Sequence, residues 1–553
     1  MYHSSRRARR ALVILTMAGL ATAGAVAAPG SAGAAHHAPP VHVSVRHRTL
    51  FVDGGSGADI IGLSSPASAP TVIAVDGDGD GVAEDVVARH KIDDIVIRAG
   101  SGDDTVTIVE VAGQTVPFTD VIPTSIRGQS GNDILLGGAG AEDLRGGSGR
   151  DVIDGNRGND VATMDGGDDE FIWDPGDGND GIEGGSGHDL MTFNGNGANE
   201  TFTATANGPH LRFTRNVGNI VMDTDGVEQV DVNALGGSDF TEINDLSATD
   251  VSLVDIDGGV TLGAPGADGI WDSVYVDGTE SADAITLSGS AGNVAIAGLA
   301  TTVTVSDADT IDRLLVASLA GNDVVDASLL GADTMHLDVL AGDGDDIVNG
   351  GAGSDDISTG PGTDEVDGNK GDDKADLEEG DDFFIWDPGD GSDIIEGRDG
   401  IDAMVFNGSN GDEVFAATAI GERLAFTRDV GNIFMDSASV EHVVLFALGG
   451  ADRVTVDDLT GTGVSLVGVN LSSAIGSNEP DGAVDAVTVV GTPGDDAINV
   501  SGFLGDVNID GLTTYVGMLD SDTFDALTIV GNGGTDAIDT QGLADGTVEL
   551  TIS

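Results

Sequence analysis

The chain contains no cysteine, only three lysines, and aromatic residues at only 4% of its 553 positions. Without cysteine, no disulfide can brace a chain that must hold its own charge together. With 22 basic residues against 95 acidic ones, the formal charge is −73. Such a surface repels phosphate backbones and anionic headgroups, so nucleic acid and membrane surfaces are poor partners and multivalent cations are good ones. Lysine and glutamate are both scarce beside aspartate, which argues against helical or coiled-coil architecture. No HExxH, GxSxG or Walker loop is present, so the common metalloprotease, α/β-hydrolase and nucleotide-binding signatures are missing.

What the chain has in abundance is aspartate and 86 glycines, the residues of turns and loops. A hydrophobic share of 40% is enough for packed cores and argues against disorder throughout. Arg6, Arg7, Arg9 and Arg10 precede an apolar run from Ala11 to Ala28, which predicts a secretory signal peptide. Small-x-small sites at Ala25-Val26-Ala27 and Ala32-Gly33-Ala34 place cleavage between residues 28 and 36, by a Sec or twin-arginine route. Loss of four arginines and no acids on cleavage makes the exported form still more acidic, with a net charge of −77. Elsewhere no stretch approaches the roughly 18 apolar residues of a membrane span.

The chain repeats itself. Phe171-Ile172-Trp173-Asp174-Pro175-Gly176-Asp177-Gly178 recurs at Phe384 to Gly391, an offset of 213 that then holds without a gap. Residues 1–35 are read as signal peptide and processing region, 36–47 as linker and 48–127 as a partial β unit. Residues 128–340 and 341–553 are full units, each a glycine-aspartate array (128–192, 341–405) followed by a β-patterned segment (193–340, 406–553). In those segments runs such as Ser273-Val274-Tyr275-Val276 and Val303-Thr304-Val305 alternate with period two at regular short intervals, which predicts a sandwich or solenoid. Trp173 and Trp386 at equivalent points read as buried strand anchors.

The arrays carry the chemistry. Asp133, Glu142, Asp151, Asp160 and Asp169 are nine apart, each with glycine two positions earlier. Asp346, Asp355, Asp364, Asp373 and Asp382 repeat the pattern, and after the FIWDP block Asp180 and Asp189, and likewise Asp393 and Asp402, resume it. An apolar residue follows each carboxylate by two, Leu135, Ile153, Phe171, Ile357, Val366 and Phe384 among them. Glycine permits left-handed backbone, so a loop can turn its carbonyls toward one point while the aspartate adds a carboxylate, a donor set suited to a hard cation. One turn cannot bury its apolar side chain alone, so turns must stack, which brings like charges together unless a cation separates them.

These GGxGxDxUx nonapeptides, strict at Gly54–Ile61, Gly146–Ile153, Gly184–Met191 and Gly350–Ile357, resemble the RTX, or haemolysin-type, calcium-binding repeats. The resemblance implies an all-β fold: a parallel β-roll with two nonapeptides per turn and several Ca²⁺ ions between loops, alternating with further sandwich or solenoid segments. The implied ligands are Asp133, Asp151, Asp160, Asp169, Asp180, Asp189, Asp346, Asp355, Asp364, Asp373, Asp382, Asp393 and Asp402. Glu142 in place of Asp, and Gln129, Asn156, Thr359 and Asn369 in place of paired glycines, predict weaker sites. A separate run, Asp76-Gly77-Asp78-Gly79-Asp80-Gly81, resembles the start of an EF-hand loop, but its twelfth position is Val87 rather than a bidentate Glu, so it reads as an acidic turn. His188, in a variable loop position, reads as exposed.

Extracellular modules hold calcium with Kd of about 10⁻⁴ to 10⁻³ M, so each site contributes on the order of 0.4 to 1.4 kcal/mol at about 1 mM free ion. The reading is a secreted, calcium-dependent repeat protein with a structural or surface-interaction role, including self-association or binding at a cell surface, and without catalytic activity. The competing reading is an exported carbohydrate-active or other hydrolase. It is disfavoured because the partial repeat at 48–127 is all that remains of the exported chain outside the two full units and the linker, which leaves no room for a separate catalytic domain.

Overall fold

The apolar residue two places after each array carboxylate sets the architecture. Leu135, Ile153 and Phe171 lie on strands Ile134–Leu136, Val152–Asp154 and Glu170–Trp173, which pair in parallel with Leu135 opposite Ile153 and Ile153 opposite Phe171. The register repeats, so the side chains stack, and Met191, Val230, Val254 and Val303 extend the same column with 1% exposure or less. Strands of the intervening turns, Thr124–Ser130, Glu142–Ser148, Val161–Gly166 and Gly181–Glu183, form a second parallel sheet in which Ile126, Leu144, Ala162 and Ile182 are stacked. Through the array the chain passes alternately between the two sheets, and the apolar columns fill the space between them. The protein is an all-β, mostly parallel solenoid.

The computed structural model describes residues 41–66, 68–110 and 117–553. Residues 1–35, read above as signal peptide and processing region, and the start of the segment read as a linker lie outside them. The chain forms two compact units, Met1–Tyr275 with Ala300–Asp312, and Val276–Leu299 with Arg313–Ser553. In the second unit Val348, Val366, Phe384, Met404, Val443, Val467 and Val516 form the corresponding column. Among the described residues no helix is long and apolar enough to cross a membrane.

Outside the arrays the coils lengthen. Within the array one coil carries the chain from Val152 to its partner Glu170 in the same sheet, whereas the coil from Leu190 to its partner Gln229 is more than twice as long. The extra length is an antiparallel excursion, Thr201–Asn207, His210–Arg215 and Ile220–Asp225, repeated as Val414–Ile420, Arg423–Arg428 and Ile433–Ala438. Its apolar face buries an aromatic cluster: Trp173 stacks on Phe193 at 4.1 Å between centroids, and Phe213 lies 4.9 Å from Phe193. Trp173 Nε1 donates to Gly178 O (2.9 Å), and Trp386 to Gly391 O (2.9 Å). Both tryptophans are fully buried anchors.

Candidate metal centre

Every array strand is preceded by its carboxylate, so parallel stacking arranges the carboxylates in rows along the sheet edge. In the first unit the Asp133 N–H donates to Asp151 Oδ1 (2.8 Å), Asp151 N–H to Asp169 Oδ1 (2.7 Å) and Asp169 N–H to Asp189 Oδ1 (2.9 Å). The row beside the other sheet runs from Glu142 to Asp160 Oδ1 (2.7 Å) and from Asp160 to Asp180 Oδ1 (2.8 Å). The second unit repeats both. Asp346, Asp364, Asp382 and Asp402 form one row, with steps of 2.8, 2.8 and 3.1 Å. Asp355, Asp373 and Asp393 form the other, with steps of 2.8 and 2.9 Å. All thirteen aspartates named from the sequence therefore stand in four rows.

Each row residue after the first has one oxygen committed to the backbone of the preceding coil. The other oxygen decides the chemistry: in eleven of the thirteen, Oδ2 is buried and has no hydrogen-bond partner. Asp355 differs, because its Oδ2 accepts the Gly351 N–H (2.5 Å). A buried, unpaired carboxylate oxygen is costly, and the local charge does not offset it, since residues 128–192 hold 15 acidic side chains and three arginines, and residues 341–405 hold 21 against three basic ones. Burial accordingly raises the carboxyl pKa of Asp133, Asp151, Asp169, Asp346 and Asp382 to about 6, of Asp373 to about 8 and of Asp160 to about 9. Neighbouring carboxylates push in the same direction and the backbone N–H donors against it.

The donor set fits a hard cation. A Cβ at Gly146 would lie 2.5 Å from Asp151 Oδ2 and 2.8 Å from Met164 O, and one at Gly350 would lie 2.5 Å from Gly368 O and 2.8 Å from Asp355 Oδ2. The absent side chains leave carboxylate and carbonyl oxygens converging, with no nitrogen or sulfur ligand among them. The interrupting residues are accommodated. Gln129, Asn156 and Asn369 adopt positive φ, and the amides of Asn156 and Asn369 donate to Gly137 O and Gly350 O, both at 3.1 Å. Glu142 stays in its row, with Oε2 accepting the Gly138 N–H (2.8 Å). His188 is exposed.

The rows run beyond the two arrays. Asp59 donates to Asp104 Oδ1 (2.7 Å), Asp104 to Asp133 Oδ1 (2.9 Å), and Asp323 to Asp346 Oδ1 (2.7 Å). For Asp59 the signal is the glycine five positions earlier, and Gly195, Gly278, Gly408, Gly491 and Gly531 likewise place a would-be Cβ within 2.9 Å of the carboxylates of Glu200, Asp283, Glu413, Asp496 and Asp536; Asp104 and Asp323 have no such glycine. Glu200 and Glu413 are the exceptions in charge. Each is fully buried against a guanidinium, Arg215 or Arg428, which also lies over Trp173 or Trp386 at 5.4 and 5.3 Å.

Among the described residues, two further groups bring three or more metal-ligating side chains close together. Asp76, Asp78, Asp80 and Glu84 bring ligand atoms within 4.8 Å of one another. Val87, the twelfth position, is a strand residue opposite Ile73, while Glu84, nine positions along, closes the loop by accepting the Gly77 N–H (2.7 Å). His336, Asp338 and Asp356 also meet, but Arg313 donates to Asp338 (2.7 Å) and Lys374 to Asp356 (3.1 Å), so that group already holds its own cations.

No family model and no curated protein matches the chain. Among solved structures, the extracellular lipase LipA from Serratia marcescens matches at 15% identity over 60% of this chain and 42% of the lipase, with a TM-score of 0.11. At that score the likeness carries no residue assignment. The expectation that the chain lacks catalytic activity is corrected to a narrower statement: the structure named here is that of a lipase, and an enzyme role is not excluded. That expectation rested on missing short motifs and on the lack of room for a separate catalytic domain, whereas a solenoid brings residues from different coils into one row and needs neither.

Proposed function

We propose that the protein is an exported calcium-binding protein of the RTX-like type, whose arrays complete their fold by taking up several Ca²⁺ ions outside the cell. The observation that carries this reading is the set of eleven buried, unpartnered Oδ2 atoms in rows where acids outnumber bases at least fivefold. Asp133, Asp151, Asp169 and Asp189, Asp160 and Asp180, Asp346, Asp364, Asp382 and Asp402, and Asp355, Asp373 and Asp393 would hold the ions together with loop carbonyls. Calcium supplies charge neutralisation and up to eight oxygen contacts, and this lets turns with a single apolar side chain stack. The apolar N-terminal run and the absence of cysteine support export and a fold that relies on metal in place of disulfides. The biological role on this reading is structural or one of surface interaction, with the two repeat units as rigid, acid-faced modules.

The test is a circular dichroism titration of residues 36–553 with Ca²⁺ and with Mg²⁺ after chelation, with calorimetry to count sites. Calcium should drive a gain of β structure near millimolar concentration, with more than six ions bound and no response to Mg²⁺, whose smaller shell demands octahedral geometry. Full β structure in chelator with no calcium heat would overturn the reading.

A further inference from the structure

A second kind of oxygen cluster lies in the β-patterned segments, outside every nonapeptide and built twice. In the first unit it consists of Asp239, Asp268, Asp272, Asp309 and Asp312. The Asp239 N–H donates to Asp272 Oδ1 (2.7 Å), Asp272 N–H to Asp312 Oδ1 (2.8 Å), Asp309 N–H to Asp312 Oδ2 (2.6 Å), and Asp268 Oδ2 accepts the Gly237 N–H (3.3 Å). In the second unit Asp452, Asp481, Asp485, Asp522 and Asp525 make the same four bonds at 2.8, 2.9, 2.6 and 3.0 Å. The two sets of five carboxylates are thus placed alike, at the same offset that relates Trp173 to Trp386.

Two features separate these clusters from solvated acidic turns. Asp239, Asp452 and Asp485 are 4%, 1% and 1% exposed, and the Oδ2 of each is buried with no partner. Among the described residues no ion pair reaches any carboxylate of either cluster, because the nearby Arg215 and Arg428 are committed to Glu200 and Glu413. The contrast with the next rung is instructive: at Glu200 and Glu413 the fold supplies an internal guanidinium, and one step along the same row it supplies none.

We infer that each unit carries a further divalent-cation site, built around the unpartnered Oδ2 of Asp239 beside Asp272 in the first unit and those of Asp452 and Asp485 in the second. Asp312 and Asp525, both of whose oxygens accept backbone N–H groups, position the central residues. The ligand chemistry is all oxygen, so the ion is a hard one, calcium at extracellular concentration. The inference rests on the reading that buried carboxylate rows take calcium and extends it to coils without the repeat motif.

Trp271, 48% exposed, adjoins Asp272, and its carbonyl accepts from Ser238 Oγ (2.6 Å); the equivalent position in the second unit is Val484. Terbium titrated into the full chain and excited through tryptophan therefore reads the first cluster as the component that depends on Trp271, beside the emission sensitised by Trp173 and Trp386 in the arrays. Trp271→Phe and Asp239→Asn/Asp272→Asn should each remove the same component of sensitised emission, and Val484→Trp should add a comparable one. By equilibrium dialysis, Asn at positions 239, 272, 452 and 485 together should lose at least two calcium ions per chain, with the array ions retained. Emission unaffected by Trp271→Phe or Val484→Trp, with unchanged calcium stoichiometry in the Asn variant, would overturn the inference and leave the array reading standing. No calcium uptake by any form would overturn both. If the Asn variant fails to fold, Val484→Trp, which alters no carboxylate, decides alone: gain of emission supports the site and no gain refutes it.

Discussion

The array at 128–192 and the segment that follows it handle buried acid differently. In the array, short strands such as Val152–Asp154 and Glu170–Trp173 recur once per pair of nonapeptides, and the carboxylates between them have no internal cation. In the following segment the strands lengthen, as at Thr201–Asn207, Phe193, Phe202 and Phe213 cluster against Trp173, and the buried Glu200 has Arg215 beside it. Where a coil buries several large side chains, it can also carry its own counter-charge. Where it buries one, the cation has to come from outside. Dependence on metal should therefore vary along each unit.

Removing the internal cation should make the second region resemble the first. Arg215→Met leaves Glu200 buried and uncompensated, and a loss of about 3 to 5 kcal/mol is expected in urea denaturation of the calcium-loaded chain. Arg215→Met with Glu200→Gln should recover most of it. If the single variant costs nothing, the guanidinium is not what holds that rung.

The array is tightest at its stacked glycines. Gly167 has φ +152° and a Cβ there would lie 1.5 Å from Gly149 O, whereas Gly208, at the hairpin turn, has φ +66° and nothing within 4 Å. Gly167→Ala should cost about 3 kcal/mol or more and weaken calcium uptake, since neighbouring coils must separate. Gly208→Ala should cost only about 1 kcal/mol, the left-handed penalty alone. Equal costs, read as unfolding midpoints, would break the comparison.

The pH response should differ by metal state. Folded-state pKa values of about 6 for Asp151 and about 9 for Asp160 lie above the unfolded carboxylate value near 3.9, so the metal-free fold binds extra protons. Its stability is present at acid pH and falls as pH rises from about 4 through 6 to 9. With calcium bound the carboxylates are ionised, and the sign reverses: acid competes with the ion and releases it. Far-UV dichroism from pH 4 to 9, with and without chelator, should give curves of opposite slope. A smaller effect is expected at Trp173→Phe, about 1 to 2 kcal/mol for the lost Nε1 bond to Gly178 and part of the stack on Phe193.

Much of this was legible in the residues. Spacing of nine, with glycine two before and an apolar residue two after each acid, leads to the stacking column Leu135, Ile153, Phe171 and to four carboxylate rows, because each coil in the arrays repeats the same bonds. Pairing between Glu200 and Arg215, or between Asp239 and Asp272, was not legible: these partners follow no repeated spacing, because coil length varies there with each hairpin. The role of Glu84 was hidden for a related reason, since the loop closes at its ninth position, where the resemblance directed attention to the twelfth. The expectation of no catalysis asked for short motifs and for a separate domain, and residues that stacked coils bring together need neither.

Hydrogen exchange with mass spectrometry on residues 36–553, in calcium and in chelator, tests the central claim most directly. The account predicts that chelation abolishes protection across 131–190 and 344–403, while 201–215 and 414–428 stay protected by their aromatic clusters and internal ion pairs. Protection that survives chelation equally in both regions would contradict it.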